Sequence, residues 1–360
     1  MSSSAPFAGA KPSPPTCPAG PIPPPTPPSP ASTPMPAPVR TASTRPPAPS
    51  PVTRTSTSPG PNPIPDPPSF ATRTPPMYIN LNPGDVGIDV TFDQLIALAA
   101  RHGFQGIEMP GPPTITEADC PAVTDKMKAA GLRFGAFALP VEFRAEPAQY
   151  QQDLAALPEC AAVAQALGCT RTYTYIVPGH NQLDHAANFD HHVKSLRPIA
   201  AVLADHGVRL ALEFIGPKTL RDLFKHPFIH TMTDMLDLCD AVRPDAAPPD
   251  SVGVLLDAYH WWTSAATEDD LLTNLNNDNI VYVHVNDGVA GRTRDQQMDL
   301  ERTLPCATGL IDAATFVRAL RTLNYDGPIT AEPFDGSLAA LTPDQTAERT
   351  IAAIRKMLDQ

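Results

Sequence analysis

Four residues with acid or imidazole side chains, Glu213, Asp257, His284 and Glu332, each close a short apolar run. The runs span 208–213 (VRLALE), 251–257 (SVGVLLD), 280–284 (IVYVH) and 329–332 (ITAE). Val252, Val254, Leu255 and Leu256 are continuous rather than alternating, the pattern of a parallel strand covered on both faces. A single carboxylate at such an exit is more often the cap of a following helix. Four in succession with compatible donor atoms point to a shared site. In a closed parallel barrel the C-terminal strand ends meet on one face, where such folds hold their active sites. Three carboxylates in an apolar mouth raise one another's pKa and need a neutralising cation. This set, rich in oxygen with one imidazole, suits Mg²⁺, Mn²⁺ or Co²⁺, and Zn²⁺ is compatible with it.

The elements that must position these residues are legible in order from Met77. Strand patterns at 77–81, 106–109, 133–139 and 170–177 precede the four acid-ended or His-ended runs. Helical patterns fall at 91–102, 116–130, 147–167, 183–206, 233–242, 267–275, 312–323 and 343–358. Thr91 is the expected N-cap of the first helix and Gly103 its stop. Eight strand–helix alternations predict an α/β fold, a single (β/α)8 TIM barrel over residues 77–360. Two connections, 214–232 and 285–311, are long for this rhythm and are expected to shape a substrate pocket.

Residues 1–76 are different material, holding 27 of the 46 prolines among many Ser, Thr and Ala. Such a segment buries too little apolar surface to offset its ordering entropy, so it reads as a disordered, Pro-rich N-terminal tail. Met77 is an alternative start, and on that reading the tail is not translated. The tail's few acids and scattered Arg give a transit peptide some support. Neither a secretory leader nor a membrane span is apparent, and a cytoplasmic protein with no membrane partner is expected. Six cysteines without a CxxC pair read as reduced thiols. Outside the tail, 21 basic and 37 acidic residues give a net charge of −16, which opposes a nucleic-acid partner.

The segments LEFIGPKTLR (212–221), LLDAYHWWTSA (255–265), VHVNDG (283–288), LPCATGLID (304–312) and AEPF (331–334) together resemble a known group. This is the sugar phosphate isomerase/epimerase group of xylose-isomerase-like barrels, which includes ketose 3-epimerases, hydroxypyruvate isomerases, inosose dehydratase and, more distantly, endonuclease IV. The resemblance covers residues 77–360 and is specific to the superfamily rather than to one substrate. It implies one divalent metal ion held by Glu213, Asp257, His284 and Glu332, with His260 of the Asp-x-x-His pair contacting substrate. Two features depart from the pattern. Lys218 and Thr219 stand where epimerases carry a second, substrate-binding Glu, and Pro305-Cys306 replaces a Pro-Gly pair.

Such a site would catalyse isomerisation or epimerisation of a sugar or related hydroxyketone through an enediolate, one of Glu213 and Glu332 removing a proton and the other returning it. A lyase, dehydrating an inosose or a 3-dehydroshikimate-like acid, is the alternative on the same site. An endonuclease IV-like enzyme needs further His ligands, but the loop reads Asp299-Leu300-Glu301-Arg302, and strands two and three end in Glu108-Met109 and Leu139-Pro140. Arg302 and Arg292 are candidates to bind a sugar hydroxyl or phosphate, surface ion pairing being the ordinary alternative. Glu108 is expected to line the pocket or support a ligand. Trp261 and Trp262 either wall the pocket or pack as core. The expected partner is a small sugar or polyol-derived substrate, and by analogy the barrel pairs as a homo-oligomer.

Overall fold

The structure, a computed structural model, describes residues 77–111 and 114–360, so the tail and the expectations placed on it lie outside the described residues. Parallel pairing joins nine strand segments in one sheet. The two terminal segments in the pairing order, Arg133–Phe134 and Phe137–Ala138, are pieces of one interrupted strand, the first bonded to strand two and the second to strand four. The sheet therefore closes through its third strand into an eight-stranded barrel. Gly135 sits at the interruption, where an added Cβ would lie 2.4 Å from the Asn80 side chain, so only glycine lets the first strand's amide lie inside the barrel there. The remaining strands are Tyr78–Leu81, Gly106–Ile107, Arg171–Ile176, Arg209–Phe214, Val252–Asp257, Ile280–Val285 and Pro328–Ala331.

Local signals behave as the sequence requires. Thr91 caps the helix Phe92–His102 in a capping box with Gln94, and Gly103 ends it with φ +80°. Thr342 and Gln345 do the same for Pro343–Leu358. The expected helix at 116–130 begins as a 3₁₀ turn, Glu117–Asp119, before Cys120–Ala130. Short elements not expected from sequence include a helix, Ala258–Thr263, directly after strand six, another, Lys218–Arg221, in the long connection after strand five, and a two-residue antiparallel ribbon of Gly179–His180 with His226–Pro227.

The main apolar core lies between sheet and helices, while Ala136, Ala211, Leu255, Val281 and Tyr282 form a smaller cluster. Side chains alternate along a strand, so Ala211 and Glu213 share a face, as do Leu255 and Asp257, and Tyr282 and His284. Period-two geometry thus sends Glu213, Asp257 and His284 to the side of this smaller cluster. Among the described residues no helix is long and apolar enough to cross a membrane.

Candidate metal centre

Glu213, Asp257, His284 and Glu332 come together with one ligand atom from each inside a mutual spacing of 4.8 Å, all four residues being buried. Register aligns His284 with Asp257 on one side and with Thr330 on the other, two residues before Glu332. Asp257 serves two purposes at once. Its Oδ1 accepts the backbone N–H groups of Tyr259 and His260, capping the helix that follows, while its Oδ2 faces the cluster. Capping and chemistry, posed as alternatives by the sequence, are divided between the two oxygens.

Several cluster atoms have no hydrogen-bond partner although they are buried: Glu213 Oε1 and both ring nitrogens of His284. Such groups are costly unless something coordinates them. Burial, reinforced by the Glu332 and Asp257 carboxylates, raises the Glu213 carboxyl well above the usual range. Burial pulls the His284 pKa down, but the Glu332, Glu213 and Asp85 carboxylates outweigh it and push it up to about 10. Glu332 is raised by burial yet held below its ordinary value by His284 and Arg302. The donor set and its unpartnered atoms fit a divalent cation.

Arg302 enters this cluster from the long connection after strand seven and is only 3% exposed. Its Nη1 donates to Asp257 Oδ2 at 2.9 Å and to Glu332 Oε2 at 2.7 Å, and its Nη2 to Asp299 Oδ1 at 3.1 Å. The guanidinium lies over the rings of Tyr259 and Phe334, at 4.7 and 4.9 Å. His260 is fully buried beside it. The Gly216 N–H donates to His260 Nδ1 at 3.1 Å, while Arg302 Nη2, which can only donate, lies 3.0 Å from Nε2. That nitrogen's nearest carboxylate acceptors are Glu213 Oε1 at 3.6 Å and Asp299 Oδ1 at 3.7 Å. Burial, together with Arg302 and His284, holds the His260 pKa well below its ordinary value, which favours the neutral ring.

The other residues singled out from sequence fall in three places. Glu108 is buried but makes no hydrogen bond to the four; its Oε2 accepts from Asn80 Nδ2 at 3.2 Å and from Tyr282 at 3.1 Å. Asn286 donates to Asp257 Oδ2 at 3.0 Å, and Asp287 accepts the backbone N–H groups of Gly288, Thr308, Gly309 and Ile311, which fixes both ends of the long connection. Arg292 pairs with Glu301 at the surface, 2.5 Å away. Trp261 does not wall the site. It packs on Phe316 at 5.5 Å, and its indole N–H donates to Thr267 O. Trp262 lines a surface depression of about 310 Å³ with Thr293, Arg294 and Asp295, which none of the four cluster residues borders.

Sequence reasoning missed Asp85 and Asp299. On the connection after strand one, the Asp85 carboxyl is held well above the usual range, chiefly by burial and then by the Glu332 charge. Its only sequence signal is an acid four residues past a strand end.

A profile of the xylose isomerase-like TIM barrel matches residues 96–357. The chain belongs to the xylose isomerase-like TIM-barrel family. A xylose isomerase domain protein from Alicyclobacillus acidocaldarius superposes with a TM-score of 0.68 at 26% identity, over 79% of this chain and 98% of the other. The IolI protein, solved with a zinc atom, gives 0.65 at 16% identity, over 79% and 98%. D-allulose 3-epimerase from Methylomonas sp. gives 0.55 at 20%, also over 79% and 98%. No curated protein matches the sequence. The family together with the buried Glu/Asp/His/Glu cluster makes this chain a metal-dependent enzyme of that superfamily.

Proposed function

We propose that the chain is a divalent-metal-dependent isomerase or epimerase acting on a sugar or related hydroxyketone through an enediolate. The observation that carries the reading is the convergence of Glu213, Asp257, His284 and Glu332 from four successive strand ends, with Glu213 Oε1 and both His284 nitrogens buried and unpartnered. A bound divalent cation, Mn²⁺, Co²⁺ or Mg²⁺, would supply Lewis-acid polarisation of the substrate carbonyl. Glu213, on strand five, and Glu332, after strand eight, then lie either side of the reacting carbon. One removes its proton and the other returns a proton, from the opposite face for epimerisation. His260 hydrogen-bonds the substrate oxygen that gains charge. Arg302 exchanges one of its carboxylate partners for a substrate oxygen and, with Phe334 and Tyr259, keeps water from the enediolate. Solved ketose 3-epimerases share the fold, among them D-psicose 3-epimerase in the presence of D-fructose.

The test begins with metal content and metal-dependent melting of the wild type beside Glu332→Gln, because a ligand bound only by the folded state raises Tm with concentration. One divalent ion per chain, lost or weakened in the variant, is expected. Turnover of D-fructose or D-allulose with Mn²⁺, Co²⁺ and Mg²⁺ follows. Absence of metal binding in the wild type would sink the reading. An absorbing enone in place of a new stereoisomer would replace it with a dehydratase.

A further inference from the structure

Of the four cluster residues, His284 has the fewest hydrogen bonds to hold it. Its ring is fully buried, and Nδ1 is the nitrogen that faces the carboxylates, 3.5 Å from Glu332 Oε1 and 4.0 Å from Asp257 Oδ2. A metal-bound histidine ordinarily donates its other ring N–H to a carboxylate or carbonyl, and that bond fixes the rotation of the ring. In this chain no protein group accepts from His284 Nε2.

Two tyrosines contact the ring instead. Tyr282, two residues earlier on strand seven, meets it edge-on with centroids 4.9 Å apart and planes at 69°. Tyr173, on strand four, does so at 5.6 Å and 77°, and the two phenol rings pack on each other at 5.2 Å. Such edge contacts have a preferred geometry, so they orient a neighbour wherever the tyrosines are themselves held. The Tyr282 hydroxyl is held firmly. It donates to Glu108 Oε2 at 3.1 Å, accepts from Asn80 Nδ2 at 3.0 Å and lies 2.6 Å from Thr330 Oγ1.

Glu108 Oε2 is the acceptor on which this buried network turns, because it takes a hydrogen from Asn80 Nδ2, at 3.2 Å, as well as from Tyr282. Asn80, Tyr282 and Thr330 are fully buried, so a donor that lost this acceptor would have to turn to find another. Thr330 stands in register with His284 on one side and with Asn80 on the other, which ties the network to the backbone beside the ligand. A place among the ligands fits Glu108 less well, since it lies outside the four residues whose ligand atoms converge.

We infer that Glu108 is a positioning residue of the metal centre: by anchoring the Tyr282 hydroxyl it fixes the pair of tyrosine rings that orients the His284 imidazole. This role rests on the divalent-metal site proposed above and holds for any reaction that site performs. Glu108 touches neither metal nor substrate in it.

The experiment titrates the full chain with Co²⁺, whose visible absorption reports the number and geometry of its ligands, for wild type, Glu108→Gln, Glu108→Leu and Tyr282→Phe. The Leu and Phe variants are expected to bind Co²⁺ about ten- to a hundredfold more weakly and with displaced absorption bands, whereas Glu108→Gln, which keeps an acceptor in place, stays within about threefold of wild type. A merely structural role would lower the metal-free Tm and leave the spectrum of the bound ion unmoved. Should Glu108→Leu fail to fold, Tyr282→Phe decides, because it keeps the ring and removes only the hydroxyl. Wild-type affinity and spectrum in Tyr282→Phe, or a loss in Glu108→Gln as large as in Glu108→Leu, overturns the positioning role and leaves the metal centre standing. No Co²⁺ binding by the wild type overturns the metal centre, and the positioning role with it.

Discussion

Strands five, six and seven run six residues each and are buried almost throughout, whereas strand two is two residues long and strand three is broken at Gly135 and Ala136. The long strands pair with one another, strands six and seven across one register shift between Ile280 and Tyr282, and they present the cluster residues Glu213, Asp257 and His284 near their ends. Asn80, on the four-residue strand one, and Glu108, just past strand two, bond to each other and to Tyr282 on strand seven. Coordination tolerates displacements of only a few tenths of an ångström, so the ligands sit where ladder hydrogen bonds fix the backbone on both sides.

The largest effect that separates the halves is expected from Glu213→Gln. Turnover of the metal-loaded enzyme should fall by about a thousandfold, the scale of a lost proton-transfer group. The metal-free variant should melt no lower than wild type, because a neutral amide replaces a carboxyl whose charge is disfavoured by burial and by Glu332 and Asp257. Calorimetry with and without Mn²⁺ reads both quantities. A metal-free Tm several degrees below wild type would mean that the charge stabilises the fold.

A first-half substitution, Gly135→Ala, should act in the opposite sense. The added methyl meets Asn80, so stability should drop by about 1–3 kcal/mol in urea unfolding while Mn²⁺ affinity per folded molecule is retained. Loss of metal binding at unchanged stability would show that the halves are more tightly coupled than their hydrogen bonding implies.

The smallest effect at neutral pH belongs to His192, remote from both halves on the helix His185–Asp205. Its Nδ1–H donates to Asn188 O, and its ring packs against Phe143 and Phe228. Burial lowers its pKa to about 4. The unfolded chain therefore binds the extra proton between an ordinary value of about 6.5 and the folded value. Stability contributed by neutral His192 is present above that ordinary value and is lost as pH falls through the window, by up to about 1.4 kcal/mol per pH unit. His192→Leu should flatten that part of the stability–pH curve and leave pH 7.5 little changed. An unaltered slope would assign the acid sensitivity to other groups.

Much of this architecture is legible from sequence because it rests on local chemistry. Thr91 with Gln94 and Gly103 marks one helix, and the apolar runs before Glu213, Asp257, His284 and Glu332 mark buried strands. The third strand was expected to be continuous and is not, because the Asn80 side chain, far away in sequence, occupies the space beside Gly135. Trp261 stood open between pocket wall and core, and the helix beginning at Ala258 turns it onto Phe316. Asp85 escaped notice because a loop acid has no periodicity to betray what it faces.

The sequence by itself determined the barrel and the identity of four strand-end residues, because burial on both faces and the period-two alternation of side chains are encoded within each run. The tertiary structure alone decided that Arg302 bridges Asp257 and Glu332 and that the Gly216 N–H and Arg302 Nη2 meet the two ring nitrogens of His260. Each of these depends on where a connection returns across the barrel mouth, and the hydrogen bonds that fix such a return join residues 30 or more positions apart.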